Sequence, residues 1–270
     1  MERFFKYHGL GNDFVVLDRR ASGLDIDAET SRRLCDRHFG IGADGVLTIL
    51  PEPGTAGRMV VHNADGSIAE MCGNGLRCVV KHVAEQAPDR PTRLDIATGA
   101  GVLASDVDWQ AGHVDRVTVA MGPAMLKSRI LPNGGPFIAQ RIDGLVGTAV
   151  SMGNPHLVLL DTPPAEAGRL GPGLERHPLF VDRTNVEFVE PRPEGGLRVT
   201  VWERGVGLTL ACGTGACATV AASALAGRSP FDSWVPVQLP GGLLEIKVAA
   251  DLSQVWLRGP VRFVYSGTLP

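Results

Sequence analysis

Long basic runs, apolar stretches of membrane-spanning length and Cys-x-x-Cys pairs are all missing from this 270-residue sequence. The first absence, with a formal net charge of -3, excludes nucleic acid and anionic membrane surfaces as partners, since both select basic faces. The smoothest apolar run, Ala216 to Ala226, is interrupted by Thr219 and Ser223 and is far too short to span a bilayer. The N-terminus MERFFKYHGLGNDF lacks the apolar core and cleavage site of a secretory signal, so a cytoplasmic protein is expected. Without C-x-x-C spacing or a matching ligand set, neither thiol redox chemistry nor a zinc site is supported, and no metal is expected. Five cysteines are an odd number in a chain too large to need staples, which predicts thiols in a reducing compartment. The length fits one large or two moderate domains.

What the sequence does contain is an internal repeat. Gly11-Asn12-Asp13-Phe14-Val15-Val16-Leu17-Asp18 is echoed by Gly153-Asn154-Pro155-His156-Leu157-Val158-Leu159-Leu160-Asp161. Gly45-Val-Leu-Thr-Ile-Leu-Pro51 finds a looser partner in Asn185-Val-Glu-Phe-Val-Glu-Pro191. Ala69-Glu-Met-Cys72-Gly-Asn-Gly75 matches Thr209-Leu-Ala-Cys212-Gly-Thr-Gly215. The spacing agrees too: 60 residues separate Asn12 from Cys72, and 58 separate Asn154 from Cys212. Two domains of one fold follow, residues 1–118 carrying Cys72 and 119–270 carrying Cys212, with the last residues free to pack back on the first half. Two copies suit a facing pair with a cleft between them.

Short apolar, β-branched runs predict strands at Phe14–Leu17, Val46–Leu50, Met59–His62, Val117–Val119, Leu157–Leu160, Val186–Val189 and Leu197–Trp202. Val235–Leu239, Leu243–Val248 and Val255–Leu257 continue the pattern. Three helices are expected. Asp27 caps the first, which ends before Gly40. The second runs from Asn74 to Gln86, with Leu76, Val79, Val80 and Val83 at helical spacing, and stops at Pro88. The third, Ala216 to Ala226, is apolar or small all round and must be buried on all sides. The fold class is therefore mixed α/β (α+β), two pseudo-symmetric halves, each a curled mixed sheet around a central helix.

Cys72 and Cys212 each stand between a strand-like segment and a buried helix, followed by Gly-Asn-Gly and Gly-Thr-Gly. Glycine weakens a helix start, and its return is access: a ligand can approach the backbone, and the N–H groups attract anions. The same helix end lowers a thiol's pKa. A thiolate removing a Cα proton while a second thiol returns one is what inversion of a stereocentre requires. Cys35, Cys78 and Cys217 read as small buried hydrophobes. Nine residues before each repeat cysteine stand Asn63 and Glu203. Arg204 is either half of a solvated ion pair with Glu203 or a bidentate clamp for a carboxylate, with Glu203 then orienting an ammonium group or tuning a thiol. Asn12 and Asn154 are turn residues or substrate contacts. His156 is a core histidine or a site residue; His8, His38, His62, His82, His113 and His177 read as structural.

Two glycine patterns compete. Gly40-Ile-Gly-Ala-Asp-Gly45 has a helix before and a strand after, the reverse of a dinucleotide-binding turn. Gly213-Thr-Gly-Ala-Cys-Ala218 has the right order but no following βαβ unit with an acidic residue, which leaves an NAD-dependent oxidoreductase as the runner-up. A nonenzymatic binding protein would use the same cleft and survive cysteine substitution.

At HGLGNDF (8–14), NADGS with CGNG (63–67, 72–75), GNPH (153–156) and ERG with ACGTGAC (203–205, 211–217), the chain resembles the diaminopimelate epimerases. The resemblance implies two similar α/β halves and interconversion of L,L- and meso-diaminopimelate, a precursor of lysine and peptidoglycan, without pyridoxal phosphate or other cofactor. By the same resemblance Cys72 is the proton donor and Cys212 the acceptor in the L,L-to-meso direction, and His156 and Glu203 support catalysis. Asn12, Asn63, Gly73, Asn74, Asn154, Asn185, Glu203, Arg204, Gly213 and Thr214 match substrate contacts, and Tyr265 matches a tyrosine of a homodimer interface. Two departures bear on substrate choice: many relatives have glutamine at Gly45, and often Gly-Glu-Thr where this chain has Gly207-Leu208-Thr209. The wider two-cysteine superfamily also holds racemases and epimerases of other amino acids, such as proline.

Overall fold

The computed structural model describes residues 2–269. The chain divides into two compact units, Met1–Ala120 with Arg258–Pro270, and Met121–Leu257.

In the first unit, β1 (Arg3–Gly9) turns through Leu10 and Gly11 into β2 (Asn12–Asp18), the two strands pairing antiparallel. Both turn residues have positive φ, 57° and 85°, the geometry of a tight hairpin that suits glycine at the second place. Helix α1 (Ala28–Cys35) begins where expected, with the Asp27 carboxylate accepting from the Thr30 N–H at 2.8 Å. Next come β3 (Gly45–Leu50), parallel to β2, and β4 (Arg58–Asn63), antiparallel to β3. A two-residue strand, β5 (Ile68–Ala69), folds back on β4 and leads into α2 (Gly73–Gln86). Then β6 (Arg93–Thr98) pairs parallel with β4, followed by the antiparallel β7 (Gly101–Gln110) and β8 (His113–Gly122). Leu76, Val79, Val80 and Val83 are all buried, and α2 packs against β1, β2, β3, β4, β6 and β7. The periodicity thus marks a helix that the sheet wraps.

The second unit repeats this order. β9 (Gln140–Ile142) and β10 (Leu145–Ser151) precede β11 (Pro155–Leu159), and α3 (Ala167–Glu175) follows. β12 (Asn185–Pro191) runs parallel to β11, and β13 (Leu197–Glu203) antiparallel to β12. The short β14 (Gly207–Leu208) folds back on β13 before α4 (Gly213–Leu225). β15 (Val235–Leu239) is parallel to β13, and β16 (Gly242–Val248) antiparallel to β15. α4 packs against β10, β11, β12, β13 and β16. The second unit closes within β17 (Val255–Pro260), at Leu257, and β18 (Arg262–Thr268) completes the first by pairing antiparallel with β1.

One helix, α3, departs from what the sequence pattern predicts. α3 contains Gly168, Gly171, Pro172 and Gly173, a composition that argues against helix on propensity alone. Packing overrides propensity here: a Cβ on Gly171 would stand 2.5 Å from the Trp202 ring, so glycine is what lets α3 lie on β13. α4 also starts at Gly213, three residues before the expected Ala216, because Cys212 supplies its cap.

Candidate active site

Each unit places one cysteine at the N-cap of its central helix. Cys72 and Cys212 both have extended backbone, and each Sγ accepts the N–H three residues on, Gly75 to Cys72 and Gly215 to Cys212, both at 3.4 Å. A thiol or thiolate thus occupies the position that serine or aspartate usually fills. The close approach attributed to a ligand is made at these glycines by the protein itself. A Cβ on Gly75 would meet Leu47 Cδ2 at 3.0 Å, and one on Gly215 would meet Glu187 Oε1 at 2.9 Å and Cys212 Sγ at 3.2 Å.

Around Cys72 the asparagines form a connected set. The thiol donates to Asn12 Oδ1 across 3.9 Å, and Asn74 Nδ2 donates to the same oxygen at 3.2 Å. Asn12 Nδ2 in turn donates to Asp44 Oδ2 at 2.9 Å, which fixes which way the amide faces. Asp44 is held by Arg37, whose Nη2 also reaches Asp13 at 2.7 Å. Burial raises the Asp13 pKa, but hydrogen bonds from Arg37 and Lys6 outweigh it and hold the carboxyl below its usual range. Beneath Asn74, fully buried Arg77 donates to Asn74 Oδ1 at 2.8 Å. Asn63 turns to Ser67, donating to its Oγ at 2.9 Å. Gly45 lies against β4, where a Cβ would stand 2.7 Å from the His62 carbonyl oxygen.

Around Cys212 a chain of contacts leads to ionisable groups. Sγ lies 3.5 Å from Thr214 Oγ1, which accepts from Asn154 Nδ2 at 3.3 Å. Asn154 Oδ1 is 3.0 Å from His156 Nε2, and His156 Nδ1 is 2.6 Å from Glu187 Oε1. Gly153, at φ 95°, makes the turn that delivers Asn154 to the head of β11. Asn185 donates to the Pro155 carbonyl at 3.0 Å and accepts the Arg204 N–H at 2.9 Å. The Arg204 guanidinium donates to the Asp182 carbonyl at 2.9 Å and is otherwise exposed. Glu203 accepts from Thr209 Oγ1 at 2.5 Å. Leu208, beside Thr209, is exposed.

The expectation of an acidified thiol does not hold at Cys212. Burial raises its pKa well above the ordinary thiol value, and the Glu203 and Glu187 carboxylates add to the rise. The Thr214 hydroxyl and Gly215 N–H oppose them but are outweighed, so Cys212 rests as a thiol at neutral pH. Cys78 and Cys217 are fully buried inside the helices, as expected, and burial pushes the Cys78 thiol up to about 12. Glu187 and Asp44 are site groups that no sequence motif marks as such. The available signal for Glu187 was a carboxylate in the middle of the otherwise buried strand Asn-Val-Glu-Phe-Val.

Among the described residues no group of three or more His, Cys, Asp or Glu side chains is placed to hold a metal ion. No helix among them is long and apolar enough to cross a membrane.

Residues 4–127 and 148–264 match the family model described as diaminopimelate epimerase. A diaminopimelate epimerase of Synechococcus elongatus is 44% identical over 280 residues, spanning 99% of this chain and 98% of that protein. One of Desulfitobacterium hafniense is 43% identical over 276 residues, spanning 98% and 96%. Two solved structures share the fold at low identity. A hydroxyproline epimerase from Agrobacterium vitis, with bound trans-4-hydroxy-L-proline, has a TM-score of 0.70 at 19% identity over 99% of this chain and 90% of that one. A phenazine biosynthesis protein of Bacillus anthracis has a TM-score of 0.73 at 14% identity over 100% and 99%.

Proposed function

Because the chain belongs to the diaminopimelate epimerase family, we propose that it interconverts L,L- and meso-diaminopimelate by acid/base chemistry of Cys72 and Cys212, without pyridoxal phosphate. The observation that carries this reading is the pair of equivalent cysteine-capped helix starts, one per unit. Inversion at Cα needs one group to remove a proton and another to return one from the opposite side. A duplicated unit with one thiol in each copy meets that requirement.

In the L,L-to-meso direction Cys212 accepts the Cα proton and Cys72 donates. Its raised pKa gives Cys212 a built-in trigger. The Glu203 carboxylate helps hold the thiol protonated, so a substrate ammonium group drawn to Glu203 offsets that charge and favours the thiolate. Asn12, Asn74, Asn154 and Thr214 supply oriented polar groups beside the thiols, with Asn63 at the end of β4 and Asn185 at the head of β12. Arg204 offers a fork for a carboxylate. The N–H groups at Gly73 and Gly213 begin the helices and suit anionic charge, including that developing from Cα. His156 and Glu203 support the reaction from beside Cys212. The enzyme then serves lysine and peptidoglycan precursor synthesis in the cytoplasm. Exposed Phe263, Val264 and Tyr265 on β18 support a homodimer through that strand.

The test is incubation with L,L-diaminopimelate under reducing conditions with no added cofactor, followed by chiral chromatography. A mixture of L,L and meso isomers is expected. Recovery of the L,L isomer alone overturns the assignment.

A further inference from the structure

The two units differ where packing alone would allow them to be the same. In the β2–β3 pair Phe14 stands opposite Gly45, and in the β11–β12 pair His156 stands opposite Asn185. Two residues further along, Leu47 and Glu187 occupy equivalent places, each against the glycine at the third position of its central helix, Gly75 and Gly215. The first unit therefore fills these two positions with Phe14 and Leu47, while the second fills them with an imidazole and a carboxylate. Both ionisable side chains are fully buried, and Glu187 Oε2 has no hydrogen-bond partner among the described residues. Burying such a pair gains little over an apolar pair of similar volume, so stability does not account for it.

The geometry accounts for it differently. We infer that Glu187 is a positioning residue: sharing a proton with His156 Nδ1, it commits His156 Nε2–H to Asn154 and so fixes the amide that leads through Thr214 to Cys212. This rests on the epimerase reading, since it concerns how that site is held. At 2.6 Å, Glu187 Oε1 and His156 Nδ1 have one proton between them. If it sits on nitrogen, a carboxylate faces an imidazolium; if on oxygen, a carboxylic acid faces a neutral ring. In both cases Nε2 keeps its own proton, because its partner there, Asn154 Oδ1, can only accept. Nε2–H then donates to Asn154 Oδ1, which leaves the Asn154 N–H groups to Thr214 and to substrate.

The ionisable groups around this pair are few. β13 contributes Glu203, and α4 contributes Cys212. The remaining charges on the strands packed against α4 lie elsewhere: Glu190 pairs with Arg198 at 2.8 Å, Lys247 lies over Trp234 and Trp256, and Glu245 and Lys247 alternate with the buried Leu244, Ile246 and Val248.

The variant Glu187→Gln keeps shape and removes the shared proton. A glutamine amide can accept from Nδ1–H or donate to Nδ1, so the ring tautomer and the Asn154 amide facing it are no longer fixed. Expected is a kcat/KM roughly tenfold below wild type with an unchanged thermal melt. Turnover equal to wild type, or a loss matched by a fall in melting temperature, overturns the inference. Nitrogen NMR of the wild-type histidines supplies a readout independent of turnover. His156 Nε2 should carry a proton, and an unprotonated Nε2 also overturns it. A wild-type protein that fails to epimerise diaminopimelate sinks the functional reading, while the NMR result still decides the proton placement.

Discussion

Cys72→Ser and Cys212→Ser each lose epimerisation by a factor on the order of 10²–10⁴ or more while remaining folded. The separation of chemistry from stability follows from the capping geometry. Each sulfur accepts the N–H of the residue three positions on, at 3.4 Å, and a serine hydroxyl is among the preferred groups for that role. The helix start is therefore kept, and thermal melting should move little. What serine cannot do is ionise in the working range, so it neither takes a proton from Cα nor returns one effectively. Steady-state assays of both variants, run with thermal melts, check the prediction. Near-normal turnover in either variant contradicts a two-thiol reaction, and a collapsed melt in both would transfer the cysteines to a structural role.

Gly215→Ala loses far more activity than Gly75→Ala, although the two glycines are repeat partners. In the second unit an added Cβ stands 2.9 Å from Glu187 Oε1 and 3.2 Å from Cys212 Sγ, two atoms whose positions matter to the reaction. In the first unit it meets the Leu47 methyls at 3.0 and 3.2 Å, the far end of an apolar side chain that can turn aside. Displacing a reacting group by about 1 Å costs on the order of 10²-fold in rate, so kcat/KM for Gly215→Ala should fall by about that factor. Gly75→Ala should stay within about tenfold of wild type. Alanine is the better helix former, so neither loss is expected to come from helix instability. Equal effects at both positions contradict the asymmetry between the two helix starts.

Much of this was legible in the sequence because it is local or repeated. The Gly-Asn turns, the paired cysteines and the apolar face of α2 each announce themselves within a dozen residues. α3 did not, since Gly168, Gly171, Pro172 and Gly173 have no helical preference, and the helix rests on packing: Ala167, Leu170 and Leu174 in an apolar cluster and Gly171 against the Trp202 ring. β1 was hidden by Lys6 and His8; Lys6 is buried because Asp13, in the neighbouring strand, pairs with it at 2.5 Å. At Cys212 the sequence points to the wrong sign of the pKa shift for a similar reason. A helix start is visible in sequence, but the burial and the two carboxylates that outweigh it arrive from β12 and β13. Glu187 shows the same limit: its repeat partner Leu47 could be aligned, yet only the packing against Gly215 and His156 gives the difference meaning.

Isotope labelling tests two-thiol inversion most directly. Wild-type protein is incubated with L,L-diaminopimelate in D₂O, without cofactor, and the isomers are separated early in the reaction. If one thiol removes the Cα proton and the other delivers its own solvent-derived deuteron, the meso product carries deuterium at the inverted centre. The remaining L,L isomer is still largely unlabelled at that stage. Meso product that retains the original hydrogen, or L,L isomer labelled as fast as the product, would mean a single group works both sides and would contradict the paired roles of Cys72 and Cys212.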